Sequence, residues 1–227
     1  MMVFRFMNLP RFTLFFLKTP ERERVPAFCL DRENTQSYNG AMDKKEKILI
    51  EAETLFTEKG YYGLGLTELL KRCDIPKGSF YYYFPGGKIQ LIQEALEHSY
   101  RRRAWGIENK ILVDETALKS FEHMADHLVG RIGQGPLLGS MFLSMIAIES
   151  VYMDEGVNAT CQRIYVDWHK LYADFLGKFG FDEEERVVKA QAVFALIHGS
   201  LISSWIKKDP ADLRLAKKSL RDILGDH

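Results

Sequence analysis

Lys77-Gly78-Ser79-Phe80-Tyr81-Tyr82-Tyr83-Phe84-Pro85-Gly86-Gly87-Lys88 is the stretch on which the reading of this chain turns. Phe80 and Phe84 stand four apart, so on a helix both point the same way and anchor it to a core, while Gly78 and Tyr82 share the opposite face. Pro85-Gly86-Gly87 stops that helix. Three consecutive tyrosines cannot all face inward on a helix, so some of Tyr81, Tyr82 and Tyr83 are exposed. Upstream, a short helix over Leu66 to Cys73 is followed by Asp74-Ile75-Pro76, where Pro76 blocks continuation. Before that, Ile48, Ala52, Leu55 and Phe56 recur at helical spacing up to Gly60, whose tolerance of positive φ ends the helix. Two short helices separated by a tight turn and braced by a longer amphipathic one are the parts of a helix-turn-helix, whose second helix can enter a major groove.

The chemistry of that second helix suits an anion. Gly78 lets the helix N-terminus approach a phosphate closely, and exposed amides with the helix dipole favour negative charge there. Lys77 adds charge at the same end, Ser79, Tyr81, Tyr82 and Tyr83 supply hydroxyl donors, and Lys88 begins the next helix where another phosphate would be met. With so few long polar side chains, the helix would read sequence partly through aromatic contact with thymine methyl groups.

Downstream the pattern stays helical, with no run of strand alternation. Segments from Lys88 to about Lys110, Ala117 to Ile132, Leu137 to Tyr152 and Ala159 to Phe179 are expected as helices. Another opens at Asp182, with Glu185 at capping-box spacing, and a last one runs from Asp209-Pro210 to about Leu224. The fold class is therefore all-α. A three-helix DNA-binding unit over 42–87 is connected by the helix 88–110 to a helical ligand-binding and dimerisation unit over 88–227. Residues 1–41 differ: they are aromatic and Arg-rich, broken by Pro10, Pro20 and Pro26, and hold no period. Two readings of them stand, a translated leader ahead of a true start at Met42 and a basic arm that touches DNA.

Bulk properties exclude more than they assert. Lys+Arg 31 against Asp+Glu 31 leaves a formal net charge of zero, so any attraction to nucleic acid is local. Cys29, Cys73 and Cys161 are odd in number and scattered, which fits a reducing cytoplasm. His123 and His127 stand four apart, but no Glu lies between them in the H-E-x-x-H arrangement and no third ligand is evident, so no metal and no cofactor are expected. The uncharged run Ala190 to Ile206 is marginal for a bilayer and carries His198 and several serines, which reads as a buried helix rather than a membrane span. No Gly-rich loop after a strand, no G-x-S-x-G elbow and no cysteine with a base beside it speaks for an enzyme. A helical interaction module without DNA binding is the rival reading, and it leaves the Lys77 to Lys88 face without a purpose.

Gly60-Tyr61, Leu69, Ile75, the block Lys77 to Phe84 and Lys88-x-x-Leu91 together resemble the DNA-binding signature of the TetR family of transcriptional regulators. Pro76-Lys77-Gly78-Ser79 and Phe84-Pro85-Gly86-Gly87-Lys88 resemble its LmrA/YxaF-like branch, with which Gly135-Pro136-Leu137-Leu138-Gly139 and Lys208-Asp209-Pro210 are consistent. The resemblance implies contacts to double-stranded operator DNA from Lys77, Gly78, Ser79, Tyr81, Tyr82, Tyr83 and Lys88. Two positions depart from the family pattern. Leu64 stands where a Thr that caps the helix and donates to phosphate is usual, leaving Thr67 as the candidate to cap a shortened helix and contact DNA, and Tyr83 replaces the commoner His.

The resemblance further implies a homodimer formed by the last two long helices, and a repressor released by a small-molecule inducer. The stripe through the penultimate helix is wide enough for a core and a partner helix, so Val193, Ile197, Ser200, Leu201 and Ser204, with Leu220 of the last helix, are the candidate dimer residues. Polar or polarisable side chains on otherwise apolar helices mark the candidate pocket: Met124, His127, Met141, Met145, Trp168, Tyr172 and His198. The competing reading of each is an ordinary core residue. The expected inducer is apolar or aromatic, wedged near Met145, Trp168 and His198, and the helix Lys88 to Lys110 is the expected lever.

Overall fold

The computed structural model describes residues 43–132 and 138–225. The segment 1–42 with Cys29, and residues 133–137, where the Gly135-Pro136 turn is expected, lie outside the described residues. The elements are α1 (Lys44–Gly63), α2 (Leu66–Cys73), α3 (Lys77–Tyr83), α4 (Gly87–Gly106), a π turn (Ile107–Ile111), α5 (Ala117–Arg131), α6 (Leu138–Ser150), α7 (Glu155–Leu176), a 3-10 turn (Gly177–Phe179), α8 (Glu183–Lys207) and α9 (Ala211–Leu224). The protein is all-α: an N-terminal helix-turn-helix unit followed by a helical C-terminal unit, with no strand among the described residues.

Side chains close several helix starts, that at Asp182 as expected. Asp43 accepts from Lys45 N at 3.2 Å, Thr116 from Lys119 N at 3.2 Å and Asp182 from Glu185 N at 2.8 Å, each satisfying an N–H that the first helical turn leaves unpaired. The Asp209 carboxylate accepts from Ala211 N at 3.0 Å at the start of α9. Helix α7 begins a turn earlier than periodicity indicates, because Asp154 accepts from Gly156 N and Val157 N at 2.9 and 3.1 Å and so initiates it before the apolar stripe is established. Helix α4 ends at Gly106 and passes into the π turn, closed by Leu112 N donating to Ile107 O at 2.8 Å.

Gly60 divides α1. Its φ of 70° and ψ of 177° leave the helical region, so the regular ladder stops there and Tyr61–Gly63 forms a separate turn. Only glycine occupies that corner of backbone space without strain. The tight turn of the helix-turn-helix is made by Asp74 in the left-handed conformation, φ 53° and ψ 53°, followed by Pro76 as the residue before α3.

One apolar core runs through both units, from Ile48, Phe56 and Phe80 to Phe121, Trp168 and Phe194, and a smaller cluster gathers Met141, Leu201 and Leu213. Helix α1 packs along α4 and also along α6, where Phe56 and Phe142 stack with ring centroids 6.3 Å apart. Helix α8 packs on α7 and α9, and α9 on α5. By length and composition α8 is apolar enough to cross a membrane, but Val193, Phe194, Ile197 and Leu201 are buried against the neighbouring helices, as in a core helix of a globular unit.

Candidate nucleic-acid interface

Phe80 and Phe84 are fully buried, with ring centroids 5.4 Å apart, and they pin α3 to the core by the face that their spacing selects. The other faces are left to solvent. Tyr82 is 81% exposed and Tyr81 43%, while Tyr83 is half-buried against the core. Lys77 is exposed, its ammonium 5.9 Å from the centroid of the Tyr81 ring. Gly78 is exposed and a Cβ there would meet nothing within 4 Å, so the space in front of the first turn of α3 is open. Lys77, Gly78, Tyr81 and Tyr82 thus stand on one outward surface, with Ser79 half-buried at its margin.

Beside this surface an open groove of about 560 Å³ runs between the N-terminal end of α1 and the α2–α3 turn. Lys44 and Lys47 line one part of it, and Ser79, Tyr82 and Tyr83 another. Lys44 carries no ion pair among the described residues, whereas Lys47 donates to Cys73 O at 3.3 Å. These two lysines were missed by sequence reasoning, which followed the recognition helix alone. The signal lay in their place at the start of the bracing helix. Two other basic side chains of the unit are paired: Lys59 with Glu68 at 2.7 Å and Arg72 with Glu58 at 3.0 Å.

Lys88 and Thr67 are placed differently from expectation. The Lys88 ammonium turns inward, donates to Leu64 O at 2.7 Å and lies 4.3 Å from the centroid of the Tyr61 ring. Burial pulls its pKa below the ordinary lysine value, partly offset by the Glu149 carboxylate. Leu64 is buried, so where a capping hydroxyl is usual the chain instead supplies a core side chain and an acceptor carbonyl for Lys88. The residue before α2 is Gly65, and α2 starts without a side-chain cap. Thr67 lies inside the first turn and is exposed, so it cannot cap a helix that has already begun.

The candidate pocket residues fall into two groups. Met124, Trp168, Tyr172 and His198 belong to one aromatic cluster: Tyr172 Oη lies 3.4 Å from Met124 Sδ, the Trp168 and Tyr172 rings 6.3 Å apart, and His198 stacks on Phe194 at 4.0 Å. Burial drives the His198 pKa down to about 4, with His169 adding to the shift, so the imidazole is neutral near pH 7. Burial likewise pushes the Tyr172 phenol well above its usual range. Met141 and Met145 sit instead in the smaller cluster with Leu201 and Leu213, and His127 is half-buried on α5.

The candidate dimer residues are, with one exception, covered within the single chain. Val193, Ile197, Leu201, Ser204 and Leu220 are each no more than 3% exposed in the single chain, because α8 and α9 turn that stripe onto their own subunit. A side chain already covered has no area left for a partner helix. Of the six, Ser200 alone is only half-buried. The outward face of α8 is a different one, carrying Val188, Ala195, Gly199 and Ile206, and Leu215 of α9 is exposed as well.

Comparison with known proteins agrees with this geometry. Residues 48–95 match the family described as bacterial regulatory proteins, tetR family, and residues 117–219 match the C-terminal domain of LmrA/YxaF-like transcriptional regulators. The chain belongs to the TetR family of transcriptional regulators, in the LmrA/YxaF-like branch, and is not an enzyme. Among its relatives is the HTH-type transcriptional regulator LmrA of Bacillus subtilis, 28% identical over 182 residues, covering 80% of this chain and 97% of LmrA. YxaF of the same organism is 25% identical over 178 residues, covering 78% and 93%. Of solved structures, the reduced form of Escherichia coli NemR superposes with a TM-score of 0.72 at 21% identity, covering 82% of this chain and 99% of NemR. A TetR regulator from Legionella pneumophila does so at 0.68 and 18%, covering 82% and 99%. At these identities the structures speak for the fold.

Proposed function

We propose that this regulator is a repressor that binds double-stranded operator DNA as a homodimer and leaves it when a small apolar or aromatic molecule occupies its C-terminal helices. It acts on DNA in the cytoplasm. The single observation that carries the reading is α3: a helix pinned by two fully buried phenylalanines that turns Lys77, Gly78, Tyr81 and Tyr82 outward. Such a helix meets phosphates with its N-terminus and base edges with its tyrosines.

One recognition helix makes too few contacts for specific affinity, and two on one DNA face need centres about 34 to 36 Å apart. The outward face of α8, small at Ala195 and Gly199 and apolar at Val188 and Ile206, is the surface that suits close packing against a second copy. The aromatic cluster of Trp168, Tyr172 and His198, with its neutral imidazole, supports an uncharged flat ligand over an ionic one.

The test is to select duplexes from a random pool with the full chain, then measure binding of the selected duplex by the Tyr82→Ala variant. Loss of binding with dimerisation and thermal melting unchanged is the expected result. Failure of the wild type to select any duplex above random sequence would refute the reading.

A further inference from the structure

Helix α6 touches the C-terminal core along one part and the helix-turn-helix at its end. Met141 packs with Leu201 and Leu213, and the buried Ser144 stands beside Tyr165 of α7, whose ring centroid lies 5.6 Å from Phe194 and 6.5 Å from His198. Phe142 and Ile146, both fully buried, seat the middle of the helix, with Phe142 stacked on Phe56 of α1. Glu149 follows five residues after Ser144, about 7.5 Å along the axis at the usual helical rise. Its Oε2 accepts the backbone N–H of Tyr61 at 2.7 Å.

That N–H needs an acceptor because Gly60 has broken the α1 ladder just before it. The fit around the carboxylate is close: a Cβ on Gly60 would collide with Glu149 Oε1. Three residues further on, Leu64 O takes the Lys88 ammonium, so the turn leading into α2 is held at its start by α6 and at its end by α4. A charge-assisted bond to a backbone amide positions that turn more firmly than a neutral one would.

We propose that Glu149 is a positioning residue for DNA binding, latching the Tyr61–Leu64 turn to α6 so that α6 as well as α4 sets the placement of α2 and α3. This rests on the operator-binding reading above. It adds to the lever helix a second, side-chain route between the two units, 88 residues apart in sequence at the Tyr61–Glu149 bond. Such a route acts on operator binding without any contact to DNA.

The experiment compares full-length wild type, Glu149→Ala and Glu149→Gln on a duplex selected from random sequence and on an unselected duplex, with amide exchange at Tyr61 as a readout in free protein. Glu149→Ala is expected to lose about fivefold or more in affinity for the selected duplex, the low end of ordinary couplings between sites. Binding to the unselected duplex, which depends on phosphate charge, stays unchanged. Glu149→Gln keeps an acceptor for the amide and recovers most of the affinity. Exchange at Tyr61 accelerates in the Ala variant. Wild-type affinity in Glu149→Ala, or an equal loss on both duplexes, would overturn the proposal. A wild type that selects no duplex would refute the functional reading instead, and Tyr61 exchange would then decide the latch: equal exchange in wild type and Glu149→Ala overturns it, faster exchange in the variant supports it.

Discussion

Arg103 of α4 places a guanidinium nitrogen 2.6 Å from one carboxylate oxygen of Glu53 in α1, while Arg102 holds the other oxygen at 2.9 Å. Glu53 is buried, and this bridge ties the bracing helix of the DNA-binding unit to the helix that leaves it. Burial by itself would raise the Glu53 pKa, but Arg103 and then Arg102 outweigh it and hold the carboxyl below the usual value of 4.5. Glu53→Gln strands two guanidiniums at the junction and is expected to cost about 3–5 kcal/mol, the range for breaking a buried pair from one side. Urea denaturation at fixed protein concentration measures it. Because the folded pKa is depressed, the stabilisation is present above the unfolded value and lost as pH falls through the folded one. The wild type therefore loses stability in acid below about the ordinary carboxylate pKa, and the Gln variant shows a shallower acid limb.

His198 governs a different pH window. Its folded pKa of about 4 lies below the ordinary histidine value of 6.5, so between those limits the unfolded chain binds a proton that the folded chain refuses. Stability is expected to fall as pH drops from 6.5 toward 4 and to level off below, as far as this group is concerned. His198→Phe, which keeps an aromatic ring beside Phe194, removes that portion of the slope. Melting temperature against pH for the two proteins checks it, and identical slopes would contradict the burial of this imidazole.

Gly60→Ala combines a backbone and a side-chain effect. At φ 70° and ψ 177° a non-glycine residue carries strain of about 1–3 kcal/mol. The new methyl group also displaces the Glu149 carboxylate, which can swing aside only by releasing Tyr61 N–H. Lower thermal stability together with faster exchange at the Tyr61 amide is the expected pair of outcomes.

Lys77 and Lys88, eleven positions apart on the DNA-binding signature, separate cleanly. Lys77→Ala is expected to leave melting unchanged and to flatten the log–log salt dependence of DNA binding by about one unit, the loss of one phosphate contact. Lys88→Ala removes the donor from Leu64 O and the cation from the Tyr61 ring, so it lowers melting temperature. Titrations of the selected duplex at several salt concentrations, with melting curves alongside, distinguish the two.

Ala195→Arg sets a long charged side chain on the outward face of α8, where Ala195 is exposed in the single chain. Dissociation to a well-folded monomer is expected, read by sedimentation. Leu201→Arg, placed in the subunit's own core, instead unfolds the chain. If Ala195→Arg remains dimeric, the partner uses another face.

Local sequence determined the elements and their faces. The four-residue spacing of Phe80 and Phe84, Asp182 ahead of α8 and Gly60 at the end of the regular α1 ladder each act within a turn or two, so periodicity and capping chemistry made them legible. Only the tertiary structure decided what each face meets. The stripe Val193, Ile197, Leu201 and Ser204 was visible, but whether it serves its own subunit or a second copy depends on where α7 and α9 lie. The direction of Lys88 followed from a carbonyl 24 residues earlier, and the acceptor for Tyr61 N–H comes from 88 residues later. Pairings at such separations arise from how helices pack and leave no period in the chain, so the ends of α4 and α6 that grip the helix-turn-helix could be found only in three dimensions.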